Sequence, residues 1–179
     1  MRKIFDTFIF IILFPMLTFS QLDLEYEIFK TVVYYETEKG TTELYFRCEK
    51  NKTFININDF KEESILQIPD SILTELEISL GKSFKSNWDK EVLEDIALGK
   101  LHHFEKCLTN DEVIELYNSF KKVQNILSIS QPIFDSNKEH CLVNIGYSKF
   151  IGMASGHSYL LKKIYGKWII IETFGHSMT

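Results

Sequence analysis

The spacing of apolar residues changes from about 3.6 to 2 near Ile126, and that change constrains the fold more than any other feature. Beyond it the chain reads as four strands, 126–134, 140–149, 157–164 and 168–174. The breaks are marked by Asp135-Ser136-Asn137, by Gly152 through Gly156, and by Tyr165-Gly166. Links this short cannot carry a parallel crossover, so the pattern predicts a four-stranded antiparallel meander.

The part before it is mainly helical. Leu24, Ile28, Phe29, Val32 and Val33 recur at helical spacing ahead of Gly40, predicting an amphipathic helix near 22–38. Thr42 to Cys48 and Thr53 to Ile57 are β-rich and separated by Glu49-Lys50-Asn51-Lys52, which predicts a hairpin. Pro69-Asp70-Ser71 and Gly81 bracket a run with Ile72, Leu73, Leu76 and Leu80 on one side, a helix with start and stop signals. A short helix is expected between Ser86 and Gly99, with Val92, Leu93 and Ile96 buried. Thr109 and Glu112 have the spacing of a capping box, opening a helix near 110–123 whose apolar face is Val113, Leu116, Tyr117 and Phe120. The fold class is α+β, with N-terminal helices packed on a C-terminal four-stranded antiparallel sheet.

The N-terminal twenty residues have a different logic. Arg2 and Lys3 precede an apolar run from Phe8 to Phe19, and Thr18 and Ser20 stand at the -3 and -1 positions before Gln21. That is the form of a cleaved secretory signal peptide, too short and too interrupted by Pro15 for a membrane span. Gln21 at the cut leaves no cysteine for lipid modification. Residues 21–179 are then expected to form one exported domain, periplasmic or extracellular, with no stable membrane span. The whole chain carries a net charge of -5, and Arg2, Lys3 and Asp6 remove +1 with the leader, leaving -6. An acidic exported domain is a poor match for nucleic acid or anionic lipid.

Cys48, Cys107 and Cys141 are an odd set for an oxidising compartment. Cys141 opens the alternating run Cys141, Val143, Ile145, Tyr147 and reads as core, so the pair to consider is Cys48 with Cys107. Three buried thiols acting as small hydrophobes are an equally good account. No Cys-x-x-Cys or Cys-x-x-His spacing occurs.

If Tyr165-Gly166 closes Ile164 onto Lys167, the register sets Leu161 opposite Ile170, Tyr159 opposite Glu172 and His157 opposite Phe174. His157, Tyr159 and Glu172 would then share a face with Trp168. They are the candidate acid/base set, Glu172 orienting or deprotonating His157 while Tyr159 supplies a hydroxyl. An ordinary cross-strand Tyr–Glu pair explains the same residues. His103, Glu105 and Cys107 fall on one face of an extended segment and form a weakly specified metal trio, set against a solvated edge segment. Gly152-Met153-Ala154-Ser155-Gly156 lacks the serine position of a nucleophile elbow, and its glycines read as a loop. Asp89, Glu91, Glu94 and Asp95 fit a solvated helix face. No phosphate loop, zinc helix or calcium loop is present, and no cofactor is expected.

Ser130-Gln131-Pro132-Ile133-Phe134-Asp135 followed by Gly166-Lys167-Trp168 resembles a pattern in uncharacterised exported proteins of Flavobacterium-type bacteria. The resemblance covers the C-terminal part and implies export and a β-rich end. Those relatives often turn the final hairpin on Asn-Gly, where this chain has Tyr165-Gly166. It carries no activity to any residue.

These readings converge on a non-enzymatic binding module that takes a protein or small ligand on its C-terminal sheet. The alternatives are a small-molecule hydrolase or acid/base enzyme using His157, Tyr159 and Glu172, and a structural component of the cell envelope.

Overall fold

The computed structural model describes residues 23–39, 45–82, 86–88, 107–120, 125–150 and 153–178. The expected leader, the histidine pair at 102–103, and nearly all of the helix expected between Ser86 and Gly99 lie outside those ranges. Helix α1 covers residues 23–38. Its Ile28, Phe29, Val32 and Val33 are all fully buried, so the stripe read from the sequence is the face that packs.

The two β-rich stretches after α1 do not form a hairpin. Only the first contains strand, β1 (Tyr45–Arg47), followed by β2 (Glu49–Lys50). Residues 53–56 run without regular structure into α2 (Ile57–Glu63), capped by the Asn56 side chain, which accepts from Asn58 N. The backbone of this segment is satisfied by side chains instead of a ladder. Phe54 N donates to Asn144 Oδ1 at 2.7 Å, Asn144 Nδ2 donates to Phe54 O at 3.0 Å, and the buried Thr53 hydroxyl bonds Ser130 Oγ at 2.7 Å.

Helix α3 (Asp70–Leu80) has Pro69 at its start and Gly81 after it, as expected. Ser86–Asn87 form strand β3 antiparallel to β2, in place of a helix start. After β4 (Cys107–Leu108) comes α4 (Asn110–Phe120). Its capping box is formed: Thr109 N donates to Glu112 Oε2 at 2.8 Å, and Glu112 N donates to Thr109 Oγ1 at 3.3 Å.

The expected strand 126–134 is two, β5 (Ile126–Ile129) and β6 (Ile133–Phe134), separated at Pro132, which has no N–H to give a ladder. Both pair with successive stretches of β7 (His140–Phe150). Strands β8 (Met153–Ile164) and β9 (Lys167–Met178) complete the sheet and are longer than expected, with Gly156 inside β8. The turn between them has Tyr165 at φ 49° and Gly166 at φ 78°, the two positive values of a type I′ turn.

The antiparallel run β5-β7-β8-β9 is therefore present, but a four-stranded meander understates the sheet. Among the described residues it has seven strands, in the order β4-β1-β5-β7-β8-β9, with β6 also on β7. It is mixed, because β1 pairs in parallel with both β4 and β5. Helix α4 returns the chain from β4 to β5 across β1, a crossover that the short C-terminal links could not provide.

Helices cover both faces. Against α1 pack Phe46, Leu127, Ile129, Cys141, Val143, Ile145, Tyr159 and Leu161. On the opposite face α2 and α3 meet Ile133, Leu142, Leu160 and Phe174, while α4 meets Leu108 and Ile126. A disulfide joins Cys48 to Cys107 and ties the end of β1 to β4, while Cys141 is a buried free thiol.

Phe29 is fully buried with its ring 5.3 Å from Phe46 and 4.6 Å from Trp88, so Phe29→Ala is expected to lower stability by about 3–5 kcal/mol in urea unfolding. Tyr165 is fully exposed and held at positive φ, so Tyr165→Asn should raise stability by about 0.5–1 kcal/mol in the same assay.

Candidate functional site

Helix α1 carries its packing stripe one turn past Val32 and Val33, to Glu36. A carboxylate is thereby placed in the core at 2 % exposure. Strands β7 and β8 supply what receives it. Tyr147, His157 and Tyr159 are on the α1 face of the sheet, and both tyrosine hydroxyls donate to Glu36, Tyr147 to Oε2 and Tyr159 to Oε1. Lys39 Nζ lies 3.1 Å from Oε1 and donates to the Tyr159 hydroxyl at 2.7 Å. Its ammonium also stands 4.4 Å from the centroid of the Tyr35 ring.

Burial alone would raise the pKa of Glu36. The surrounding His157, Tyr147, Tyr159 and Lys39 overcome it and hold the carboxyl down to about 2. Burial first, and then the adjacent carboxylate, push Tyr147 and Tyr159 well above the usual phenol range. The arrangement is thus an ionised acceptor between two phenols that keep their protons. It is a poor acid/base set near neutral pH, because the carboxylate is too weak a base and the phenols are too weak as acids.

His157 Nε2 is 3.8 Å from Glu36 Oε1, within ion-pair reach but beyond hydrogen-bond length, and is buried with no hydrogen-bond partner among the described residues. The imidazole is instead held among rings, edge-on to Tyr159 at 4.6 Å and 5.6 Å from His176.

Glu172 does not join this group. The register predicted from the turn holds from Ile164↔Lys167 to Leu161↔Ile170, and then Leu160 pairs with Glu172 and Tyr159 with Thr173. Ile171 is the additional residue of a bulge, which turns Glu172 to the opposite face. There its Oε2 accepts from Ser64 Oγ at 2.7 Å. A second irregularity sets His157 against Gly175 and His176 instead of Phe174, which pairs with Ser158. Gly175 takes φ 67° there, and its N–H donates to Glu63 Oε2 at 2.6 Å. His157 and Tyr159 are therefore neighbours, and Glu172 lies across the sheet from them.

Of the candidate metal trio, His103 and Glu105 lie outside the described residues, and the Cys107 sulfur is held in the disulfide, closed to ligation. Among the described residues no group of three or more His, Cys, Asp or Glu could hold a metal. Glu36 was missed by a reading that followed only apolar positions. The signal was there: residues 29, 32 or 33, and 36 continue one helical stripe.

Among the described residues, the opposite face has an open strip. Ser128 pairs with Gly146, Gly146 with Gly156, and Gly156 with Ser177, a row of small residues across β5, β7, β8 and β9. The two adjoining rows are covered, one by the segment around Phe54 and the other, at Ile126, by α4. The row between carries no side chain large enough to recruit a helix. A trough of about 210 Å³ results, lined among others by Lys52, Phe54, Ser128, Asn144, Gly156 and Ser177. A Cβ on Gly146 would come within 2.6 Å of Ser128 Oγ, so the Ser128 hydroxyl occupies space that only glycine leaves. Asn144 fixes the rim by its double bond to the Phe54 backbone and donates to Ser158 Oγ at 2.7 Å.

Comparison with known proteins finds no matching family model, no matching curated protein and no matching solved structure.

The lowered pKa of Glu36 sets a pH dependence. A carboxyl depressed on folding contributes stability above its unfolded value of about 4.5, and loses it as pH falls toward about 2. At about 1.4 kcal/mol per pH unit the contribution is roughly 3 kcal/mol. Urea unfolding from pH 6 to pH 2 should show this loss in the native protein and a smaller loss in Glu36→Gln.

Proposed function

We propose that this protein is an exported, non-catalytic binding module that holds a small hydroxyl-rich ligand, such as a single sugar ring, in the trough on its C-terminal sheet. The observation that carries the reading is the row Ser128, Gly146, Gly156 and Ser177, which leaves a strip of sheet open between two helical layers. The trough is below the roughly 300–1,000 Å³ usual for drug-sized ligands, and suits one ring or one side chain.

Its chemistry favours a neutral polar occupant. Serine hydroxyls both donate and accept, as sugar hydroxyls do, and Lys52 is the cation among the lining groups. The Phe54 ring, 66 % exposed at the rim, offers an apolar surface to the carbon-bound hydrogens of such a ring. An enzyme built on His157, Tyr159 and Glu172 has less support, since Glu172 faces away from the other two and Tyr159 is occupied by Glu36 and Lys39.

At about 0.3 kcal/mol per heavy atom, a hexose of roughly twelve heavy atoms would bind at about 2 mM. Titration of neutral monosaccharides against the ¹⁵N-labelled protein should move the amides of Ser128, Gly146, Gly156 and Ser177 saturably. Ser177→Trp, which fills an exposed end of the trough, should abolish the response, while Lys167→Gln, on the other face of the sheet, should leave it within about 2-fold. Saturable shifts around Tyr147 and Tyr159 that survive Ser177→Trp would refute the reading, because those residues face α1 and do not line the trough.

A further inference from the structure

The α1 side of the sheet carries a second and larger cleft, of about 520 Å³, between the middle of α1 and the β8–β9 turn. Glu27, Lys30, Thr31 and Tyr34 line it from the helix, and Lys167 and Trp168 from the start of β9. Trp168 is 6 % exposed, and its Nε1 is buried without a hydrogen-bond partner among the described residues. An indole N–H can only donate, so what it lacks is an acceptor. Trp88 is a contrast within the same chain: its Nε1 donates to Ile129 O at 3.2 Å.

The charge around the cleft is positive although the chain as a whole is acidic. Glu27 lies 3.7 Å from Lys163, whose ammonium also stands over the Trp168 ring at 5.6 Å. Among the described residues Lys30 and Lys167 have no carboxylate partner, and Lys30 instead lies 5.9 Å and 5.7 Å from the centroids of the Tyr26 and Tyr34 rings. The cleft thus combines two cations and an aromatic wall, and one of its lining residues carries a buried, unused donor.

We propose that this cleft binds a small organic acid with an apolar body, its carboxylate accepting from Trp168 Nε1 and held by the charges of Lys30 and Lys167. A carboxylate answers both features at once, as an acceptor for the N–H and a counter-ion for the lysines. The apolar body lies against the Tyr34 ring and the lysine stems. The Trp168 N–H is closed to bulk water, so the carboxylate reaches it through a side-chain shift in the cleft wall, which the long stems of Lys30 and Lys167 permit. This site is separate from the trough, on the other face of the sheet, and does not depend on the reading of the trough.

The test uses phenylacetate and its neutral analogue phenylacetamide, with the two indole N–H signals of the ¹⁵N-labelled protein as readout. Phenylacetate should move the Trp168 indole signal saturably and leave that of Trp88 in place. Phenylacetamide should bind about 10-fold more weakly or worse, because it keeps the acceptor and loses the charge. Lys167→Gln should weaken phenylacetate by about 3–10-fold without altering the rest of the spectrum. Trp168→Phe should remove binding in ligand-observed spectra. Three outcomes would overturn the proposal: no saturable movement of the Trp168 signal up to about 50 mM ligand, equal response to the acid and the amide, or full binding by a folded Trp168→Phe protein. If Trp168→Phe does not fold, the acid-against-amide comparison and Lys167→Gln decide alone.

Discussion

A carboxylate taken out of water must find donors, and the placement of α1 follows from that requirement. The buried stripe of this helix begins and ends in glutamates. Glu25 Oε2 is 2.6 Å from Lys50 Nζ, which lies 4.5 Å over the Trp88 ring, and Glu36 is bonded by Tyr147, Tyr159 and Lys39. Apolar packing between a helix and a sheet is tolerant of sliding and rotation, whereas two buried carboxylates with separate partners admit one position. Eleven residues apart, the two anchors are separated by about 16 Å along the axis, so they fix both tilt and register. The apolar residues between them, from Ile28 to Val33, supply burial within a geometry set by the polar ends.

What could be read from the sequence was whatever depended on local chemistry. The stripe of α1, the Pro69 and Gly81 signals of α3 and the Thr109–Glu112 box of α4 involve groups within a few residues of one another, and all three are in place. The Tyr165-Gly166 turn set the register as far as Leu161↔Ile170 for the same reason. The register was lost at Ile171, where Trp168-Ile169-Ile170-Ile171 offers no polar alternation to show which residue is additional. The parallel neighbours of β5 were invisible for another reason: β1 and β4 are three and two residues long, too short to have a period. The Thr53–Ile57 stretch was misread because its β-forming residues are held by an asparagine more than eighty positions away, a contact that no local pattern encodes.

The two faces of the sheet divide the candidate chemistry between them. On the α1 side, acidic, phenolic and cationic groups satisfy one another at Glu36, and a group that has all its partners has little left for a ligand. On the other side the Ser128–Ser177 row has few groups of its own to satisfy and no apolar side chains to bury. The openness of that strip is thus already set by composition, since a helix gains nothing by covering glycine and serine. Leu142, Leu160 and Phe174 recruit α2 and α3, and Ile126 recruits α4, on either side of it.

The Glu36 network also bears on why a polar anchor is kept where an apolar one would serve for stability. Replacing a whole buried polar cluster by hydrophobic residues of the same shape is often neutral or stabilising, whereas removing one member strands the others without partners. The cluster is therefore better understood as fixing orientation than as adding net stability. With Tyr147 and Tyr159 on neighbouring strands both bonded to one helical carboxylate, rotation of α1 about its axis would break both bonds together. The same helix supplies Glu27, Lys30, Thr31 and Tyr34 to the cleft over Trp168, within about two and a half turns of Glu36. An anchor that forbids rotation at Glu36 thereby holds Lys30 and Tyr34 at a constant distance from the indole, and this is the form of preorganisation that a small binding site on a helix–sheet boundary requires.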